Sequence, residues 1–91
     1  MERKKSTMTD REFDVLDELY FLTSFQELSE NCGLSREALS LVLWELMKKN
    51  WVNCYRKYDQ EFKPTKEEFE ANFADYHYLA SKKGLMAHNA R

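Results

Sequence analysis

The chain has 91 residues, two cysteines and a formal net charge of −2, which leaves room for one domain but not for a deep cleft between two lobes. Hydrophobic residues make up 43% of the chain and charged residues 33%, a composition typical of an ordered fold and not of an extended disordered chain. The slightly acidic balance argues against indiscriminate binding to nucleic acid, which needs a basic surface.

The first predicted helix begins near Asp10. Thr9 and Glu12 have the spacing of a capping box, in which each side chain accepts a hydrogen bond from the other residue's backbone N–H. Residues 1–8 are mostly polar and lack periodicity, so they are predicted to form a flexible tail. One half of the helix is apolar at a spacing of 100° per residue, and its members are Phe13, Val15, Leu16, Leu19, Tyr20 and Leu22.

Two further helices are predicted around a glycine turn. Ser24 and Glu27 form a second capping-box pattern, and Gly33 ends this short helix because glycine tolerates the left-handed conformation. Ser35 is then the N-cap of a third helix at about 36–50, which Asn50 can terminate. The core stripe of this helix consists of Leu39, Val42, Leu43, Leu46 and Met47.

The second half of the chain predicts two strands separated by a structured connection. Residues 51–58 and 76–80 are short and rich in β-favouring side chains. The seventeen residues between them are too many for a simple hairpin. A capping-box pattern at Thr65 and Glu68 predicts a short helix at about 66–74. The C-terminal residues predict a last short helix or turn that docks through Leu85 and Met86, although Gly84 disfavours a helix there.

This order of elements resembles the winged helix-turn-helix family of DNA-binding domains, in particular bacterial transcriptional regulators. The most specific similarity lies in "SFQELSENCGLSREALSLVLWELMKKNWV" and in "YHYLASKKGL", which resemble the paired helices of the family and its returning strand. The resemblance implies an α+β, mostly helical fold: a three-helix core, a small antiparallel β-wing with a helical insertion, and a short C-terminal helix. Residues 9–91 would form a single winged-helix domain.

The function that this resemblance implies is transcriptional regulation by binding to double-stranded DNA. The third helix would lie in the major groove, and the protein would be a homodimer because one short helix rarely supplies enough specific contact. Arg36 could contact guanine and Lys48 could neutralise phosphate. The positions implied to contact DNA are Ser35, Arg36, Glu37, Ser40, Lys48, Arg56 and Lys57.

Two features depart from the family pattern and favour an alternative function. Leu41 and Trp44 lie on the outward arc of the third helix, where DNA-reading members of the family usually carry polar residues. The predicted wing at 59–75 is acidic, with six acids against Lys63 and Lys66. The alternative is a protein-interaction or dimerisation module that uses Leu41 and Trp44 and binds no DNA. Both side chains could instead belong to a broader core, covered by the wing insertion or by the C-terminus.

The sequence gives little support to an enzyme, a cofactor or a metal site. No Walker loop, GxSxG, HExxH or GxGxxG motif occurs. Cys32, Cys54, His77 and His88 lack the close pairing of structural zinc ligands, and both cysteines are predicted to be structural thiols. The chain also lacks the run of about 20 apolar residues of a membrane span and the apolar stretch of a secretory signal, so we expect a cytoplasmic protein. Some aromatic residues could stack on the bases of single-stranded nucleic acid, but we expect them in the core instead. They are Phe62, Phe69, Phe73, Tyr76 and Tyr78.

Overall fold

The computed structural model describes residues 8–57 and 59–90, which form an α+β fold with five α-helices and one four-stranded antiparallel sheet. In chain order the elements are α1 (Asp10–Asp17), β1 (Thr23–Ser24), α2 (Phe25–Cys32), α3 (Arg36–Lys48), β2 (Val52–Tyr55), β3 (Glu61–Phe62), α4 (Lys66–Asn72), a 3₁₀ turn (Phe73–Asp75), β4 (His77–Ala80) and α5 (Lys82–Ala90).

The helix starts follow the predicted caps. Both hydrogen bonds of the Thr9–Glu12 capping box form, at 2.9 and 3.0 Å, and the Thr65–Glu68 box is also complete. Ser24 caps α2 by accepting from the Glu27 N–H, and the Glu27 carboxylate contacts the Ser24 hydroxyl at 3.3 Å rather than its backbone. The prediction of a flexible tail concerns residues 1–8, and for residues 1–7 it falls outside the described part of the chain. Met8, which the sequence assigned to that tail, is buried in the core.

α1 is shorter than its apolar stripe predicted. The helix ends at Asp17, because the chain turns so that β1 can pair with β4, with Thr23 opposite Tyr78. The Leu19 carbonyl accepts from the backbone N–H of Ala80 at 2.9 Å instead of continuing the helix. Tyr20 is consequently exposed, although the stripe placed it on the packed side.

The sheet has the order β1-β4-β2-β3, with every neighbouring pair antiparallel. β2 and β4 confirm the two predicted strands within shorter bounds, except that Tyr58 lies outside the described residues. The two-residue strands β1 and β3 were not predicted. The connection between β2 and β4 therefore holds β3, α4 and the 3₁₀ turn, and not only a helix.

The core lies where α1, α2 and α3 meet one face of the sheet. Tyr78 on β4 is fully buried, and its hydroxyl donates to the Phe73 carbonyl at 2.7 Å. On α5, Gly84 and His88 form the buried side, and Leu85 packs partly against the core. The prediction that Met86 docks on the core is wrong: its position in the helix turns it outward, and 64% of it is exposed. The fully buried aliphatic side chains are Val15, Leu16, Leu19, Leu28, Leu39, Leu43 and Leu46.

The turn between α2 and α3 yields a first testable prediction. Gly33 has a φ of +67°, and no atom lies close enough to contact a Cβ at this position. Replacing Gly33 with valine should therefore lower the free energy of unfolding by about 1–2 kcal/mol through backbone strain alone. Denaturant unfolding measures the loss, and Gly33→Asn should lose clearly less because asparagine tolerates this conformation. Equal losses from the two variants would contradict the strain argument.

Candidate interaction face of the third helix

α3 presents an outward face opposite its buried stripe. At 100° per residue, four positions lie within about 60° of one another on this side, and we call them the open face: Glu37, Leu41, Trp44 and Lys48. Leu41 is 69% exposed, a large fraction for a leucine in the middle of a helix. The open face thus places an apolar centre between an acid at one end and a base at the other.

α4 lies beside the open face and forms a groove with it. The rings of Trp44 and Phe69 are 5.3 Å apart between centroids, and this contact leaves Trp44 half-buried. α4 therefore covers Trp44 in part but not Leu41. Of the two alternatives that the sequence left open, cover by the chain itself applies to Trp44 and exposure applies to Leu41. The groove has a volume of about 210 Å³, and Lys66 and Glu70 lie at its α4 side.

The positions implied to contact DNA fall in two places. Ser35, Arg36, Glu37 and Ser40 lie in the first turns of α3, and Lys48 lies at its last turn. Arg56 and Lys57 follow β2 and are both exposed. Of the four basic residues in this set, α3 therefore carries two, Arg36 near its start and Lys48 at its end.

Most of these side chains already have a partner within the chain. The Ser35 hydroxyl caps α3, and the Ser40 hydroxyl donates to the Glu37 carbonyl at 2.8 Å. The Lys48 ammonium lies 2.8 Å from a Glu45 carboxylate oxygen, and this hydrogen bond lowers the pKa of Glu45.

The two arginines contact aromatic rings. Arg36 lies over the ring of Phe73, with 5.4 Å from the guanidinium carbon to the ring centroid. The corresponding distance from Arg56 to Phe62 is 4.4 Å, and Arg56 also reaches Glu68 at 4.0 Å. Both arginines therefore contact the segment between β2 and β4, in which acidic residues outnumber basic ones.

Sequence reasoning missed the groove because its second wall comes from α4. Phe69 and Phe73 were expected in the core, and both do contact it: Phe69 is buried and Phe73 is half-buried. Their spacing of four residues identified one face of a helix, but not the helix against which that face packs. No local pattern in the sequence pairs Phe69 with Trp44, which lies 25 positions earlier in the chain.

In the part of the chain that the structure describes, the cysteines and histidines are not brought together into a site. Burial raises the pKa of the Cys32 thiol to about 11 and that of Cys54 to about 12, so neither is a reactive thiolate at neutral pH. His88 is buried against the ring of Phe13, with centroids 4.1 Å apart, and its Nδ1 lies 2.9 Å from the Tyr20 hydroxyl. Within residues 8–57 and 59–90, no group of three or more His, Cys, Asp or Glu side chains is placed to hold a metal ion.

None of the helices in the described part of the chain has the length and apolar character needed to cross a membrane. Comparison of the chain with protein-family models, with curated proteins and with solved structures finds no match.

Proposed function

We propose that this chain is a protein-interaction module that self-associates through the open face of α3 and the adjoining groove. The observation that carries this proposal is the exposure of Leu41 beside a groove walled by Trp44 and Phe69. Burying one leucine side chain is worth about 1.5–3 kcal/mol. An exposed leucine next to an apolar groove is a ready anchor for a protein surface.

The charges around the groove also favour protein over DNA as the ligand. Along α3, Arg36 and Lys48 are balanced by Glu37 and Glu45, and Lys66 is balanced by Glu70 across the groove. A DNA-binding surface needs an excess of bases to neutralise phosphates, and this face has none. A charge-balanced rim around an apolar centre is typical of a protein interface.

Sedimentation of single-residue variants tests the proposal. Leu41→Asp should raise the dissociation constant of the wild-type oligomer by roughly 30-fold or more, because it places a carboxylate in a desolvated centre. Met86→Asp is the matched control, since Met86 is 64% exposed on another helix. This control should leave self-association unchanged. A wild type that stays monomeric up to millimolar concentration would overturn the proposal, and so would equal effects of the two variants.

Winged-helix DNA binding is the second candidate, and a specific observation favours it. α2, the left-handed Gly33 turn and α3 form a helix-turn-helix unit, and the side chains of Ser35, Arg36 and Glu37 are exposed at the start of its second helix. We therefore retain, as a proposal, a winged-helix domain in which the start of α3 enters the major groove. Arg36 would contact a base there, and Lys48, Arg56 and Lys57 would contact phosphates.

Binding to a pool of DNA fragments at two salt concentrations tests this second candidate. Affinity should fall steeply between about 50 and 200 mM salt, and Arg36→Ala should weaken specific binding by about 1–3 kcal/mol. Lys82→Ala is the control, because Lys82 is an exposed base on α5, away from the helix-turn-helix unit. Binding that is absent, or equally sensitive to both substitutions, would exclude this function for α3.

A further inference from the structure

The open face of α3 has a symmetry that a second copy of the chain can use. Its four residues lie in the order Glu37, Leu41, Trp44, Lys48, with acid and base at the ends and the two apolar residues between them. When two such helices run antiparallel about the midpoint between Val42 and Leu43, position 37 faces position 48 and position 41 faces position 44. Each acid then meets a base, and each leucine meets a tryptophan.

The neighbouring charges agree with the antiparallel arrangement. Glu45 would face Ser40, a small and uncharged partner. Arg36 points towards Phe73, and Lys49 is paired with Glu12 on the other side of the helix, so these two bases do not face each other across the pair. A parallel arrangement would instead place Glu37 against Glu37 and Lys48 against Lys48. Like charges directly opposite each other oppose association, so the charges select the antiparallel arrangement.

We infer that the partner of the open face is a second copy of this chain, bound with its α3 antiparallel to the first about a two-fold axis. This inference rests on the proposed self-association and adds its partner and its register. Leu41 of each copy lies opposite Trp44 of the other, at the groove that Phe69 walls. Two ion pairs between Glu37 and Lys48 close the ends of the interface, which is isologous as a two-fold dimer requires.

Charge-exchange variants of the full chain test the register. Glu37→Lys alone places two ammonium groups together at both ends of the dimer interface, and Lys48→Glu alone places two carboxylates together at both ends. Each variant should therefore form dimer at least about tenfold more weakly than wild type, whereas an equimolar mixture should regain the wild-type affinity. In the mixed dimer every facing pair again has opposite signs. Analytical ultracentrifugation measures all three samples, and thermal melting checks that each variant is folded.

The outcomes separate this inference from the proposed function. A monomeric wild type overturns both. A wild-type dimer that Leu41→Asp dissociates, but that neither charge variant weakens, overturns the register and leaves the proposed function standing. Weakening by both single variants without recovery in the mixture also overturns the register.

Zero-length cross-linking of the wild-type protein gives an independent test that needs no variant. A carbodiimide joins a carboxylate to a lysine amine only when the two are in contact. Glu37 and Lys48 are eleven residues apart on one helix, a separation of about 16 Å along its axis, so this link cannot form within one chain. An equal mixture of ¹⁵N-labelled and unlabelled protein should give Glu37–Lys48 cross-linked peptides that contain both isotopes. Their absence from a cross-linked dimer would overturn the register.

Discussion

Replacing Gly84 with alanine should lower the free energy of unfolding by about 3 kcal/mol, and the melting midpoint by roughly 12–24 °C for a domain of this size. Gly84 is buried on α5, and a Cβ built there would overlap the carbonyl oxygen of Trp51 and lie 2.8 Å from the carbonyl carbon. The obstacle is backbone, which cannot rotate away as a flexible side chain can. Thermal and denaturant unfolding measure the loss.

The sign of the Gly84→Ala effect is itself informative. Alanine is a better helix former than glycine by about 1 kcal/mol, so the substitution would stabilise α5 if space were available. Met86→Ala on the exposed side of the same helix is the control, and it should change stability by less than about 0.5 kcal/mol. A Gly84→Ala variant as stable as wild type would show that α5 does not pack this closely on Trp51.

The contact of Gly84 with the Trp51 backbone also explains why the sequence predicted either a helix or a turn at the C-terminus. Gly84 argued against a helix on local propensity, yet a regular helix forms at Lys82–Ala90. Its start is attached to the turn between α3 and β2: the Ser81 N–H donates to the Trp51 carbonyl at 2.9 Å, and the Ser81 hydroxyl donates to the Asn50 carbonyl at 2.6 Å. Glycine is needed there for close approach of two backbones, and local propensity contains no information about such an approach.

Features determined by nearby residues were predictable, and features determined by distant ones were not. The caps at Thr9, Ser35 and Thr65 and the left-handed turn at Gly33 depend on hydrogen bonds and backbone angles within a few residues. By contrast, α1 ends early because the Leu19 carbonyl accepts a hydrogen bond from Ala80, in a strand about 60 positions later. β1 and β3 have two residues each, too few to show an alternating pattern.

In the candidate site, too, features set by nearby residues were predictable and features set by distant residues were not. Helical periodicity alone placed Leu41 and Trp44 on one outward arc. The difference between the two residues, one exposed and one partly covered, comes from the contact of Phe69 with Trp44. That contact depends on the path of the chain after β3, which the sequence pattern left open beyond a helical insertion.

The second large effect on stability is expected at a buried ion pair that joins the start of α1 to the end of α3. Only 5% of Glu12 is exposed, and its two carboxylate oxygens accept from the Lys49 ammonium at 3.0 and 2.9 Å. Glu12→Ala removes these contacts and also the acceptor of the Thr9 N–H. We expect a loss of about 3 kcal/mol in the free energy of unfolding, at the lower end for a buried pair because Lys49 is partly exposed.

A double-mutant cycle separates the ion pair from simple loss of packing at this position. Lys49→Met keeps the apolar stem of the side chain and removes the charge, so in the Glu12→Ala background it should recover about 1 kcal/mol or more by eliminating a partly buried charge that has lost its carboxylate. Glu12→Gln keeps an oxygen acceptor for the Thr9 N–H and should lose less than Glu12→Ala. Denaturant unfolding of the four proteins in the cycle measures the coupling. Strictly additive effects of Glu12→Ala and Lys49→Met would show that α1 and α3 are joined there by packing and not by the pairing of charges.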